Sequence, residues 1–210
     1  MVKKKQSEET KKINEVTGEI NIGKWINESW DFVMANFTEL LIISLIYVIL
    51  VLVASSTVVI KFILSGPLSV GIFYVIFNKM RGGEINIGDI SKGFNFFVAA
   101  VLADILITVF VSVGFFFLII PGIVISALYM FAFPLILEKN MDFWEAMETS
   151  RKVVTKNIFE LSVFMLVLYI FMIIGVMLLF VGFLVALPIV FAAIALAYKD
   201  IFGLEENVSS

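Results

Sequence analysis

Histidine and cysteine are both absent from the 210 residues, and charged side chains make up only 16% of them. Without a thiol or an imidazole there is no disulfide, no thiolate or imidazole metal site, no cysteine nucleophile and no Ser-His triad. No cofactor is expected. What the chain has instead is apolar bulk, with 61% hydrophobic residues and a mean hydropathy of +1.06. No water-soluble fold hides that much apolar surface. The excess lies in three runs of low charge, residues 40–78, 94–137 and 161–198. The composition predicts an all-α, polytopic membrane protein.

A hydrocarbon core roughly 30 Å thick takes about 20 helical residues, so each run is about twice one span. Lipid leaves no partner for unpaired backbone, which excludes long loops at that depth. Each run therefore reads as two helices and a tight turn, giving six transmembrane helices in three hairpins. The expected turns are Lys61 to Pro67 (KFILSGP), Ile119 to Gly122 (IIPG) and Gly182 to Pro188 (GFLVALP), with proline in the first turn of the returning helix. The basic residues favour this layout over three single long spans. In hairpins, every Lys and Arg except Lys61 falls on one side, whereas single spans would divide them between both. By the positive-inside rule that side is cytoplasmic, and both termini lie there.

The first 21 residues mix both signs of charge without apolar periodicity and read as a flexible cytoplasmic tail. The first hydrophobic run starts too late and is too long for a cleavable signal. Residues 22–210 form one domain of three repeat-like units, about 22–83, 84–140 and 141–203. Each run opens on an Asn-aromatic mark, at Asn36-Phe37, Asn95-Phe96 and Asn157-Ile158-Phe159. Parallel units of two spans each argue against an inverted-repeat transporter plan. Before each run lies an amphipathic lead-in. Ile22, Ile26, Val33 and Phe37 share one helical face in the first, opposite Lys24, Asn27, Glu28 and Asp31. Phe143, Met147, Val154 and Ile158 do so in the third, with Glu148 and Lys152 four apart and Asp142 and Glu145 placed as a cap. The middle lead-in, Ile85 to Phe97, is shorter and interrupted by Gly88 and Gly93. These segments read as elbow helices along the membrane surface, anchored by Trp25, Trp30 and Trp144. Ordinary connecting helices packed on their neighbours are the plainer alternative.

Asp104 is the one acidic residue well inside a run, and an intramembrane carboxylate is a functional hypothesis by default. Thr108 and Ser112 follow at intervals of four and extend a polar stripe along that helix. The stripe suits a hydrated path; a packing contact between helices is the plainer reading. Lys61, near the opposite interface, is explained by snorkelling. Small residues such as Gly182 and Ala186, or Ala193 and Ala197, suit close helix contact. No paired acids share a depth on the hydrophobic helices, so catalytic and metal sites are not expected.

The run Ile119-Ile120-Pro121-Gly122-Ile123, followed by Tyr129, the polar loop Glu138-Lys139-Asn140, Glu145-Ala146 and Ser150, resembles the membrane domain attached to some glycerophosphoryl diester phosphodiesterases. It is similar also to the stand-alone bacterial and archaeal relatives of that domain. The likeness covers mainly residues 90–203 and implies a six-helix plasma-membrane module of unestablished activity. The hydrolase portion is absent, with no room for a barrel domain and no histidine for its chemistry. The sequence thus predicts a non-enzymatic scaffold or lipid-interacting membrane module. Its expected partners are membrane lipids and other membrane proteins, and the charge of −3 excludes a nucleic-acid footprint. The alternative is a small permease or ion or proton pathway using Asp104.

Overall fold

A computed structural model of the chain describes residues 20–54 and 58–204. Among these there is no strand. In chain order the helices are α1 (Ile22–Ala35), α2 (Phe37–Ala54), α3 (Val58–Met80), a 3-10 segment (Ile87–Phe96), α4 (Phe97–Phe117), α5 (Ile119–Tyr129), α6 (Ala132–Lys139), α7 (Phe143–Lys156), α8 (Ile158–Met177) and α9 (Leu179–Phe202). Six helical stretches are long and apolar enough to cross a membrane: α2, α3, the 3-10 segment continued by α4, α5 continued by α6, α8 and α9. The chain is a polytopic all-helical membrane protein.

Only the middle turn falls where proline marks it. Leu118, in extended backbone, separates α4 from α5, and Pro121 sits in the first turn of α5, where its missing N–H is not needed. The other two expected turns lie inside helices. Lys61 to Pro67 belongs to α3, which starts at Val58, and Gly182 to Pro188 belongs to α9, which starts at Leu179 after a break at Leu178. Pro67 and Pro188 thus stand mid-helix, a position membrane helices tolerate because neighbouring groups re-satisfy the freed backbone. Ser55, Ser56 and Thr57 lie outside the described residues. So do residues 1–19 of the expected tail, but Ile20 packs on the core and the Asn21 side chain caps α1, so the folded part starts before Ile22.

The packing is cyclic. Each outgoing helix lies on its own return helix and on the return helix of the preceding unit: α2 on α3 and α9, α4 on α5 and α3, α8 on α9 and α5. The lead-ins follow the same rule. The 3-10 segment packs on α3, α7 on α5 and α6, and α1 closes the ring by packing on α9. The return helices are consequently the inner layer, with half or more of each span buried, and the outgoing helices the outer one, with 11–28% buried. Large apolar side chains such as Leu52, Val53, Val98, Val109, Phe159 and Ile173 cover that outside.

Backbone proximity fixes the seam between the first two units. Methyl groups on Gly71 or Gly93 would overlap backbone of the 3-10 segment and of α3, respectively. Gly93, which reads in sequence as an interruption, is therefore what lets this lead-in dock. The bounds of α1 and α7 match at a spacing of 121 positions. Asn21 and Asp142 cap equal 14-residue helices. Asn36 and Asn157 end them with the same bond, from their N–H to the Val33 and Val154 carbonyls.

Candidate functional site

The polar stripe of α4 divides between two environments. Asp104 turns toward α3, where the Ser65 hydroxyl donates a hydrogen bond to its carboxylate. Gly66 makes this approach possible, because a methyl there would meet the Ala100 carbonyl and the Asp104 Cβ. Ser69, one turn on, donates to the Ser65 carbonyl, and its oxygen lies 3.4 Å from the Tyr47 hydroxyl. Lys61, one turn before Ser65, lies within electrostatic range of the carboxylate. A cation that the local sequence of α4 does not supply is thus carried on the facing helix.

Thr108 and Ser112 instead line a cavity of about 330 Å³ together with Ser69, Ser126, Tyr129 and Tyr169. All three return helices contribute to its wall, as do α4 and α8. Next to the lining residues Phe73, Met130 and Ile194 in the chain lie Phe77, Phe131 and Tyr198, which are fully buried. Their rings meet with centroids 5.4 Å apart for Phe77 and Tyr198 and 6.3 Å for Phe131 and Tyr198. Asp104 is not part of the cavity lining.

Three of the wall residues, Tyr129, Met130 and Phe133, sit at a broken helix. The stretch from Ile119 to Lys139 is interrupted at Met130 and Phe131, and Ser150 of α7 mends the gap. Its hydroxyl donates to the Leu128 carbonyl at 2.7 Å and accepts from the Phe131 N–H at 3.2 Å. Irregular backbone at membrane depth survives only with such partners. Pro134 follows in the first turn of α6, where it costs nothing.

At the lead-in end the bundle is tied by ions. Arg81, just past α3, pairs with buried Glu138 at the end of α6. Asp200 of α9 accepts from the Lys24 ammonium and from the Trp25 indole N–H, each at 2.8 Å. Trp25 is fully buried, with its ring 5.2 Å edge-on to Phe164. This corrects its assignment as a surface anchor: the distant Asp200 offers its N–H an internal acceptor. Trp30 and Trp144, 47% and 59% exposed, have the accessibility an anchor requires. The buried face of α1 is correspondingly Trp25, Ser29 and Val33, with Ile22 and Ile26 at its edge, while Phe37 lies beyond the break at Asn36. In α7 the expected Asp142 cap forms, on the N–H groups of Trp144 and Glu145. Met147 and Val154 are buried, whereas Ile158 begins α8 and is exposed. Glu148 pairs with Arg151 at 2.8 Å and Lys152 at 3.4 Å, and the Arg151 hydrogen bond above all holds its carboxyl down at about 2.

No family model, curated protein or solved structure matches the chain. Sequence reasoning found Thr108 and Ser112 but missed Ser69, Ser126 and Tyr169 as their neighbours. Single hydroxyls on separate hydrophobic helices carry no shared signal until the helices are packed. Among the described residues no cluster of acids is arranged to hold a metal.

Proposed function

We propose that the chain is a non-enzymatic, lipid-interacting membrane module of three repeated helical hairpins, working as a scaffold in the plasma membrane. The central cavity carries this reading. A space lined by hydroxyls and apolar side chains, with no charged group in its lining, suits an amphiphile better than an ion. Several polar groups at the lead-in end form internal pairs, such as Arg81 with Glu138 and Trp25 with Asp200, which favours a structural role for that layer. In this reading α1, the 3-10 segment and α7 lie along the cytoplasmic surface, Trp30 and Trp144 dip into the headgroups, and both termini are cytoplasmic. The resemblance to the phosphodiesterase-linked membrane domain agrees with a module of this kind, and other membrane proteins are its further partners.

Gentle purification followed by mass spectrometry of retained lipids tests the proposal. A defined lipid surviving delipidation supports it, and a lipid-free, fully folded protein overturns it. Single cysteines at Asn86, Asn140 and Ile120 test the orientation in the naturally thiol-free chain. Labelling of Asn86→Cys and Asn140→Cys from one side and Ile120→Cys from the other is expected. A second reading, a small permease, is favoured by one observation, the proximity of Lys61 to the Ser65–Asp104 pair. An Asp104→Asn variant that stays folded but loses a measurable ion or proton flux would establish that reading instead.

A further inference from the structure

The hydrogen bonds around the central cavity are unevenly distributed. Ser69 and Ser126 donate back to the carbonyls four residues earlier, and Ser126 also meets the Tyr169 hydroxyl at 2.7 Å. With the Ser126 proton spent on Gly122, Tyr169 must be the donor in that pair, which leaves its oxygen able to accept. Thr108, Ser112 and Tyr129 make no side-chain hydrogen bond among the described residues. Threonine and serine on a membrane helix ordinarily satisfy themselves on the preceding turn. Three hydroxyls on one lining, Thr108 and Tyr129 half-buried and Ser112 exposed, are therefore free to donate to and accept from a ligand.

We propose that this cavity holds the head of one neutral, single-chain lipid bearing free hydroxyls, of the monoacylglycerol type. The inference deepens the lipid-interacting reading and rests on it. No charged side chain lines the cavity, so a phosphate, carboxylate or ammonium would lose its hydration there without a counter-ion. A hydroxyl both donates and accepts, matching idle donors at Thr108, Ser112 and Tyr129 and the idle acceptor at Tyr169. The volume, near the lower end of the range for small-molecule pockets, suits a glycerol-sized head and the first part of one chain. Ile107, Val111, Met165 and Phe191 supply the apolar wall beside it. Two other hollows, between α5 and α8 and along α8 and α9, are almost wholly apolar and lie on the lipid-facing side. The first holds a single unpartnered hydroxyl, Ser162, against the several of the central cavity.

The test is photo-crosslinking of the full chain in phosphatidylcholine nanodiscs with a diazirine-bearing monoacylglycerol. Label is expected on the peptides containing Thr108–Ser112 and Met165–Tyr169. Competition by 1-monooleoylglycerol should exceed that by oleate or lysophosphatidylglycerol by roughly tenfold. The Thr108→Val/Ser112→Ala double variant should lose site label by a similar factor while its thermal unfolding stays unchanged. Should the pair fail to fold, Ser112→Ala with the competition series decides. Equal competition by all three lipids, unchanged label in the variant, or label no stronger than on the outer surface around Val53 overturns the inference. Phospholipid that survives delipidation without monoacylglycerol capture defeats it alone, whereas loss of every lipid defeats the underlying reading as well.

Discussion

The first and third units keep one register from N-cap to return-helix proline, while the middle unit has a 3-10 lead-in and a return helix broken at Met130 and Phe131. The regular return helices run unbroken through Pro67 and Pro188, where packing absorbs the freed backbone groups. The broken unit instead borrows Ser150 from the third unit and puts Tyr129, Met130 and Phe133 into the cavity wall. The least regular unit thus shapes the site, and the regular ones hold it in place. Departures from helix at membrane depth are tolerated where they line a cavity, and here the break and the cavity coincide.

The largest effect should come from the ion pair joining the regular α3 to the irregular α6. Arg81→Ala removes a partner of the buried Glu138 carboxylate and should cost up to about 3–5 kcal/mol. Replacing both, as Arg81→Met with Glu138→Leu, should restore most of it. Unfolding in mild detergent measures both variants, and an equal loss in single and double variants would refute the pairing argument. Next comes the seam at the middle lead-in. Gly93→Ala forces a methyl into the Pro67 carbonyl and should cost about 1–3 kcal/mol. Gly23→Ala in the regular α1, where a methyl would meet only Asn21 Oδ1 at an ordinary 3.8 Å, should be neutral or slightly stabilising. If both tolerate alanine, close backbone docking does not set the seam.

Spans and lead-ins were legible because hydrophobic length and 3.6-residue periodicity are local properties. The three features that were not legible share a cause. Pro67 and Pro188 look like turn punctuation, since nothing nearby in sequence tells that packing will absorb them inside α3 and α9. Trp25 looks like an interface residue until Asp200, 175 positions away, supplies an acceptor. Asp104 is visible as an intramembrane acid, but Ser65 and Lys61, which give it a partner and a nearby countercharge, lie on a different span. Local pattern specifies which face is apolar, and only tertiary packing decides which polar group meets which.

Ser29 and Ser150 occupy equivalent positions in α1 and α7, and both are fully buried. Ser29 only donates to Ile26 in its own helix, whereas Ser150 bridges two groups of another chain segment. Ser150→Ala should therefore cost about 1–3 kcal/mol, because it strands the Phe131 N–H and Leu128 carbonyl, and Ser29→Ala should cost clearly less. Hydrogen exchange sharpens the contrast. Faster exchange confined to Phe131 and its neighbours is expected in the Ser150 variant, and equal losses in both variants would show that the mended break is not special.

The smallest effect separates the same two helices by pH. Glu148 in α7 is held at about 2 by Arg151 and Lys152, whereas the matching positions of α1 are Asn27, Trp30 and Asp31 and form no such cluster. A carboxyl whose folded value is depressed adds stability that is complete above its unfolded value, near 4.5. That contribution disappears as the pH falls from there toward 2. Because the ions are partly exposed, water and salt screen them, so the change in unfolding midpoint should be the slightest of the series and should shrink further in about 1 M salt. Glu148→Gln should remove this acid dependence without altering the neutral-pH fold. An unaltered acid limb in that variant would mean that the pair contributes nothing to holding α7 against the broken return helix.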